Sequence, residues 1–160
     1  MDKSAFKKIR ALFLDFDGVI TDNKVLTDGD GKESVVCDRS DSLGMDMLKK
    51  AGIAIAVISK ERNKVVSARC KKLGIECIQG IDNKISAFKE ELVKRNLRAE
   101  NTAFMGNDVN DIECIKAAGI GIAVNNSHPA ALKAADYITS RNGGDGAVRE
   151  VAELILGISE

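Results

Sequence analysis

The segment Ala-Leu-Phe-Leu-Asp-Phe-Asp-Gly-Val, residues 11–19, decides the fold. Residues 11–16 are almost continuously apolar, which is typical of a strand covered on both faces in a parallel sheet. Two aspartates stand at the end of this strand, and Gly18 allows the chain to turn away sharply. Because ligands of such sheets bind beyond the carboxyl ends of the strands, the segment predicts a central strand and one part of a functional site.

Short apolar segments and segments with helical periodicity alternate along the rest of the chain. Further strands are predicted at 53–58, 76–78, 102–105 and 120–124, with a weaker candidate at 136–138. Helices are predicted at 41–51, 63–73, 83–96, 110–118, 129–135 and 146–156. The alternation predicts an α/β fold, a doubly wound parallel sheet of Rossmann-like architecture.

Two local signals refine this pattern. Gly52, Gly74 and Gly119 each follow a predicted helix, where glycine commonly caps the helix C-terminus. Residues 25–27 and 33–37 flank the turn sequence Asp-Gly-Asp-Gly and predict an inserted β-hairpin. No repeat, linker or low-complexity tract divides the sequence, so we expect a single domain spanning all 160 residues.

The composition excludes several classes of function. The chain has 24 basic and 24 acidic side chains, so its formal net charge is 0 and we expect neither a nucleic-acid nor a membrane partner. No apolar run approaches the roughly 20 residues that a membrane span needs. The first ten residues lack the apolar stretch of a signal peptide, so we expect a cytoplasmic protein. The four cysteines form no C-x-x-C pair, which disfavours a zinc site.

Acidic side chains follow two of the predicted strands. Asp15 and Asp17 end the first strand, and Asp108 and Asp111 follow the fourth. Each aspartate by itself could serve as a turn or N-cap residue. Carboxylates that gather at neighbouring strand ends need a cation to offset their repulsion. An oxygen-rich cluster without His or Cys favours Mg²⁺ as that cation.

A hydroxyl group and an ammonium group follow the remaining strands. Ser59 follows the second strand, and Lys84 begins the helix after the third. Ser59 could equally cap the next helix, and Lys84 could be a solvated surface side chain. Beside a Mg²⁺ site, the same pair would bind the oxygens of a phosphate group and the charge that develops on it during transfer.

These motifs, in this order, resemble those of the haloacid dehalogenase-like phosphatase superfamily. The first motif corresponds to residues 15–19, the second to Ser59, the third to Lys84 and the fourth to residues 106–111. The resemblance implies that Asp15 is the nucleophile and that Asp17 is the general acid and base. It also implies a Mg²⁺ ion held by Asp15, by the backbone carbonyl of Asp17 and by the fourth motif.

The fourth motif departs from the usual pattern. Most members of the superfamily have Asp directly after the glycine, where this chain has Asn107. An amide oxygen can also ligate Mg²⁺, with one negative charge fewer, and Asp108 stands beside it as the alternative ligand. We therefore expect Asn107 or Asp108 to complete the metal site.

The spacing of the motifs leaves no room for a cap domain. Only 44 positions separate Asp15 from Ser59 and 25 separate Ser59 from Lys84, and predicted elements already fill both intervals. The chain resembles the capless branch that acts on 3-deoxy-2-ulosonate sugar phosphates, and also the phosphatase-like domain of acylneuraminate cytidylyltransferases. That branch implies a homotetramer in which a neighbouring subunit covers the site and the hairpin lies at the interface.

Further residues match this branch. Asp41 and Arg149 stand in segments similar to its signatures, and Arg69 resembles the arginine that binds the sugar carboxylate in a neighbour's site. Glu61 and Lys72 are typical of members that act on nine-carbon ulosonates rather than on octulosonates. All five are implied to bind substrate, although Arg69, Lys72 and Arg149 would equally suit a solvated helix face.

Two other functions stay open at this point. One is a non-catalytic, phosphatase-like oligomerisation domain, which Asn107 alone favours. The intact Asp15, Asp17, Ser59 and Lys84 argue against it, because such a domain has no reason to keep both a nucleophile and an acid. A phosphatase of another small phosphate ester would use the same core residues. Nucleotide substrates are mildly disfavoured, since aromatic residues make up only 4% of the chain.

Overall fold

The computed structural model describes residues 2–158, which form a six-stranded sheet and a two-stranded ribbon. The strands are β1 (Ala11–Leu14), β2 (Leu26–Thr27), β3 (Glu33–Ser34), β4 (Ala54–Ile58), β5 (Glu76–Ile78), β6 (Thr102–Gly106), β7 (Ile120–Ala123) and β8 (Tyr137–Ile138). The helices are α1 (Arg39–Lys50), α2 (Lys64–Leu73), α3 (Lys84–Lys94), α4 (Ile112–Ala117), α5 (Pro129–Ala134) and α6 (Ala147–Leu156). Shorter 3-10 helices span Lys3–Lys8, Ala99–Asn101 and Val109–Asp111. Within 2–158, no helix has the length and apolar character that crossing a membrane requires.

Strand β1 lies in the centre of the six-stranded sheet. The strand order is β5-β4-β1-β6-β7-β8, and every pairing is parallel. Leu14 pairs with Val57 of β4 on one side and with Met105 of β6 on the other. After β1, the chain adds β4 and β5 on one side of that strand and then β6, β7 and β8 on the other side. The loops after β1, β4 and β6 therefore meet at a topological switch point, where ligands of such sheets bind.

Helices cover both faces of the sheet. Leu12 and Leu14 of β1 belong to a core shared with α1, α2 and α6, whereas Phe13 belongs to a second core with α3, α4 and α5. In the second core, Phe88 packs edge-on against Phe13 and Phe104. Burial on both faces explains the continuous apolarity of the strands. The predicted doubly wound sheet is confirmed, and the described residues form no cap domain.

Several elements begin or end one or two residues from their predicted bounds. β1 stops at Leu14 because the carbonyl of Phe16 already accepts hydrogen bonds from three backbone amides of the following turn. α1 starts at Arg39 rather than at residue 41, since the carboxylate of Asp38 caps it. The helix predicted at 110–118 divides into a 3-10 turn and the shorter α4. The paired part of the hairpin is also shorter than predicted, with two residues in each strand.

Two of the three predicted glycine caps are confirmed. Gly74 caps α2 with a left-handed φ of 64°, and Gly52 follows α1 with a φ of 78°. The prediction for Gly119 is wrong, because α4 ends in an extended Ala118 and Gly119 does not have a positive φ. A Cβ atom at position 119 would lie 2.5 Å from the carbonyl oxygen of Glu100. Close backbone approach, rather than helix capping, therefore requires this glycine.

The glycine-rich segment before α6 packs against the loop that follows β1. A Cβ atom on Gly143 would lie 1.8 Å from the carbonyl oxygen of Gly18, and the backbone N–H of Gly144 donates to the carbonyl of Val19. α6 then packs along α1 and buries most of its apolar residues. This glycine-rich segment therefore supports the loop that carries the first motif.

Candidate active site

Asp15 is held at the end of β1 with its side chain buried. Its backbone N–H donates to the carbonyl of Met105, and its Oδ1 accepts the backbone N–H of Phe16 at 2.7 Å. Burial, together with the nearby carboxylate of Asp111, raises the pKa of Asp15 to about 7, and Lys84 opposes this shift. Asp15 is thus a fixed carboxyl group that needs positive charge nearby to stay ionised.

Lys84 supplies that positive charge from the first residue of α3. Its Nζ lies 2.7 Å from Asp15 Oδ1 and 2.8 Å from Asp111 Oδ1, and its side chain is 1% exposed. Burial lowers the pKa of Lys84, but the two carboxylates outweigh that effect and the net shift is upward. The alternative of a solvated surface lysine is therefore wrong, because the start of α3 packs against the turn Val109–Asp111.

Asp111 is a site residue whose role the sequence did not assign. Its side chain is fully buried, and its Oδ2 accepts the backbone N–H groups of Asn107 at 2.9 Å and Asp108 at 3.3 Å. With its Oδ1 on Lys84, it shapes the loop after β6 and holds the ammonium group toward Asp15. Asp108 and Asp111 stand three residues apart and form a reciprocal capping box. This spacing is the feature of the sequence that could have identified Asp111.

Asn107 presents a buried oxygen that has no partner. The residue is 7% exposed, and its Oδ1 makes no hydrogen bond within the described part of the chain. Its amide lies against Gly18, where a Cβ atom would come within 2.1 Å of Nδ2. A buried polar atom without a partner is rare and calls for an explanation. A hard cation that takes amide oxygens as ligands would provide one.

Side-chain carboxylates alone would not complete a site for such a cation. Among residues 2–158, no group of three or more His, Cys, Asp and Glu side chains is arranged to hold a metal ion. A magnesium site would therefore combine the carboxylate of Asp15 with backbone and amide oxygens, as the family resemblance implies. Asp108 Oδ1 accepts the N–H of Val109 at 2.6 Å and caps the following turn. The unpaired oxygen of Asn107 thus fits the ligand role better than Asp108.

These groups surround a cavity of about 190 Å³. The loops after β1, β4 and β6 and the start of α3 supply its walls, which are Asp15, Asp17, Asn23, Ser59, Lys60, Glu61, Lys84, Asn107, Asp108 and Asn110. Ser59 does not cap α2, because Asn63 holds that position and the Oγ of Ser59 accepts the N–H of Glu61 at 3.1 Å. Asn23 was not predicted, and its positive φ of 65° is a conformation that its residue type tolerates.

Asp17 lines the same cavity and is half-buried. Burial, and after it the carboxylate of Glu61, raises the pKa of Asp17 above its usual value. A carboxyl group with a raised pKa holds its proton closer to neutral pH, as a general acid must. The environment of Asp17 therefore suits the acid role that the family resemblance implies.

Four other predicted substrate ligands do not line this cavity. Arg69 Nη2 donates to Ser42 Oγ at 2.6 Å, and Lys72 is exposed near the end of α2. Asp41 Oδ1 accepts the backbone N–H of Arg149 at 2.8 Å and so stabilises the start of α6. The other carboxylate oxygen of Asp41, Oδ2, is buried and has no hydrogen-bond partner among the described residues, and contact of Asp41 with substrate stays a prediction. Contacts of Arg69, Lys72 and Arg149 with substrate also stay predictions, and that of Arg69 would be made in the site of a neighbouring subunit.

An oxygen-rich site with a buried aspartate and lysine, set at the switch point of a parallel sheet, defines a class of hydrolase. The chain belongs to the haloacid dehalogenase-like hydrolase family, whose model matches residues 49–151. The predicted membership of this superfamily is confirmed.

Particular relatives are similar over nearly the whole chain. The 3-deoxy-D-manno-octulosonate 8-phosphate phosphatase of Salmonella typhi is 37% identical over 151 residues, which are 94% of this chain and 80% of that protein. The Moraxella catarrhalis phosphatase of the same name, in complex with magnesium, phosphate and KDO, superposes with a TM-score of 0.94 at 35% identity, over 98% of this chain and 91% of that one. A Streptomyces avermitilis protein described as a HAD family hydrolase gives a TM-score of 0.92 at 43% identity, over 94% and 86% of the two chains.

Proposed function

We propose that the protein is a Mg²⁺-dependent phosphatase of a 3-deoxy-2-ulosonate sugar phosphate, either the octulosonate 8-phosphate or a nine-carbon ulosonate 9-phosphate. The observation that carries the proposal is the buried contact of 2.7 Å between Lys84 Nζ and Asp15 Oδ1, beside the unpaired oxygen of Asn107. The names of the similar phosphatases from Salmonella and Moraxella support the substrate class.

In the first step, Asp15 attacks the phosphorus atom of the substrate. Lys84 and the backbone N–H of Phe16 hold this carboxylate in place through Oδ1 while one of its oxygens forms the new bond to phosphorus. As that bond forms, the bond between phosphorus and the sugar oxygen breaks, and Asp17 gives its proton to the departing oxygen. Lys84 and the hydroxyl group of Ser59 would bind the oxygens of the transferring group as charge develops on them.

In the second step, water releases phosphate from the aspartyl-phosphate. Asp17, now ionised, takes a proton from the water molecule, whose oxygen forms a bond to phosphorus. The bond between phosphorus and Asp15 breaks, so the carboxylate is restored and inorganic phosphate leaves. One residue can serve as acid and then as base because the first step leaves it deprotonated.

Magnesium, when bound, would offset the repulsion between the phosphate and the carboxylates of the site. The residues that fit it are Asp15 through its carboxylate, Asp17 through its backbone carbonyl and Asn107 through its side-chain oxygen. Lys84 and Asp111 would stay outside this set, because they pair with each other at 2.8 Å.

The number of carbon atoms in the sugar is the finer part of the proposal. The names of the similar proteins favour the octulosonate 8-phosphate. Glu61 lines the cavity and favours a nine-carbon substrate through its resemblance to that group of phosphatases. A panel that contains both substrates, with matched concentrations of Mg²⁺, separates the two.

The test is phosphate release from purified protein over that panel, with a nucleotide and p-nitrophenyl phosphate included. We expect the highest kcat/KM for an ulosonate phosphate, loss of activity with a chelator, and recovery when Mg²⁺ is restored. Release from none of the esters would favour the non-catalytic domain. A clear preference for an ester that is not an ulosonate phosphate would overturn the substrate class alone.

We also propose that the chain assembles as a homotetramer through its hairpin. Val25, Leu26 and Val36 are 53%, 69% and 58% exposed, and exposed apolar side chains that cluster on one hairpin suit burial against another subunit. A neighbour there would also cover an active site that has no cap. Light scattering at the assay concentration tests this, and a fully active monomer would contradict it.

A further inference from the structure

A second chamber of about 180 Å³ adjoins the catalytic cavity. The two share Asp17, Asn23 and Glu61 as walls, so the second chamber lies directly beside the cavity that contains Asp15. The hairpin and its flanks complete the chamber through Val25, Glu33 and Val35. The hairpin of the same chain therefore borders the space next to the catalytic cavity.

Glu33 is fixed at this chamber by a hydrogen bond that spans the chain. Asn63 Nδ2 donates to Glu33 Oε2 at 2.8 Å, across 30 positions of the sequence. Asn63 is itself held in place, since its Oδ1 caps α2 on the N–H of Val65 at 3.0 Å and its backbone N–H donates to Glu61 Oε1 at 2.8 Å. The hairpin carboxylate and the loop after β4 are thus one connected unit.

The charge of the chamber restricts the chemistry that it can bind. Asp17, Glu33 and Glu61 contribute three carboxyl groups to its lining, and Lys24 contributes one ammonium group. Such a lining repels the carboxylate end of a substrate. It offers acceptors to neutral hydroxyl groups, which donate well to carboxylate oxygens.

We propose that Glu33 is a specificity-determining residue that accepts hydrogen bonds from hydroxyl groups of the substrate's sugar chain, and that Asn63 is its positioning residue. Because Asn63 engages Oε2, Oε1 is the oxygen that receives a hydroxyl group. The inference rests on the proposed function and deepens it. The polyhydroxylated, uncharged segment between the phosphate and the carboxylate of the substrate would then bind in this chamber.

Two variants and one control test the inference in the full chain. Glu33→Gln removes the charge, and Asn63→Asp keeps the oxygen that caps α2 while it replaces the donor to Glu33 by a second acceptor. Asp30→Asn, in the exposed turn of the same hairpin, is the matched control. Each protein is assayed on the polyhydroxylated phosphate ester that the wild type hydrolyses best and on p-nitrophenyl phosphate, which has no hydroxyl groups.

We expect the kcat/KM of both variants for the hydroxylated ester to fall roughly 10- to 100-fold, because a charge-assisted hydrogen bond to the substrate is lost. Their activity on p-nitrophenyl phosphate should change less than about twofold, and the control should match the wild type on both esters. Equal losses on both esters would overturn the inference in favour of a purely structural role. An unchanged preference, or a wild type that prefers no hydroxylated ester, would also overturn it.

Failure of the inference and failure of the proposed function give different results. If the preferred hydroxylated ester is not an ulosonate phosphate, the proposed function fails, and Glu33→Gln still decides the inference on that ester. If the wild type prefers an ulosonate phosphate and Glu33→Gln keeps that preference, the function stands and the inference fails. Thermal unfolding of each variant separates either result from a loss of folded protein.

Discussion

Replacement of Gly18 by alanine tests whether the position of Asn107 matters for the chemistry. A Cβ atom at position 18 would lie 2.1 Å from Asn107 Nδ2 and 2.6 Å from its Cγ. Unbonded heavy atoms need a separation of about 3.5 Å, so the amide has to move by more than about 1 Å. Gly18 also has a φ of 83°, which adds strain of about 1–2 kcal/mol to any other residue.

A matched variant separates the two effects. Gly52 has a nearly equal φ of 78°, but a Cβ atom there would meet nothing within 4 Å. Gly52→Ala should therefore lose only about 1–2 kcal/mol of unfolding free energy, from backbone strain at a positive φ, and should keep its activity. Gly18→Ala should lose about 1–3 kcal/mol more, because the crowded loop has to rearrange. Its kcat/KM should fall about 100-fold, the usual effect of a 1 Å misplacement in an active site.

The assay combines urea unfolding with phosphate release over a titration of Mg²⁺. We expect the Mg²⁺ midpoint of Gly18→Ala, and not that of Gly52→Ala, to rise. The double variant Gly18→Ala/Asn107→Ala should regain part of the stability that Gly18→Ala loses, since the clash is gone, but no activity. Activity of Gly18→Ala within about threefold of Gly52→Ala would refute the argument that Asn107 acts at the site.

Three further outcomes are expected. Asp15→Asn should reduce phosphate release to background with little change in Tm, because it removes the nucleophile and keeps the shape; near-normal release would exclude Asp15 from that role. Asp17→Asn should be slower by roughly 10²–10⁴-fold in kcat, as measured by steady-state kinetics, and a smaller effect would argue for another proton donor. Asn107→Asp should keep or lower the Mg²⁺ midpoint, since a carboxylate attracts the cation more strongly, and a large rise would mean that Asn107 does not act as a ligand.

The affinity for Mg²⁺ should also depend on pH in a defined direction. In the metal-free protein the pKa of Asp15 is raised to about 7, so below pH 7 a proton occupies the carboxylate that the cation needs. The apparent Kd for Mg²⁺, measured by calorimetry, should therefore rise as pH falls from 8 to 6, by up to about tenfold per pH unit below the pKa. A Kd that is constant over this range would contradict the raised pKa.

The sequence by itself determined the architecture, because local patterns encode it. Continuous apolarity at 11–16 and at the other predicted strands follows from burial on both faces, and the α/β alternation leaves few topologies open. The strand ends then located Asp15, Ser59 and Lys84 near one edge of the sheet. The errors were local: the bounds of short elements, and Gly119, where a backbone approach from a distant turn imitates the pattern of a helix cap.

Only the tertiary structure decided which charged side chains are buried and what they contact. Nothing near Lys84 in the sequence distinguishes it from a surface lysine, yet it lies between two carboxylates that come from the segments after β1 and β6. The amide of Asn107 packs on Gly18, 89 positions away, and its Oδ1 has no partner among the described residues. Distant elements also determine the hydrogen bonds of Arg69, which donates to Ser42 of α1, and of Asp41, which accepts from the backbone of α6. The periodicity of apolar residues indicates which face of a helix or strand a residue occupies. The ion pairing and desolvation of a side chain depend instead on which distant elements pack together, and no local segment of the chain contains that information.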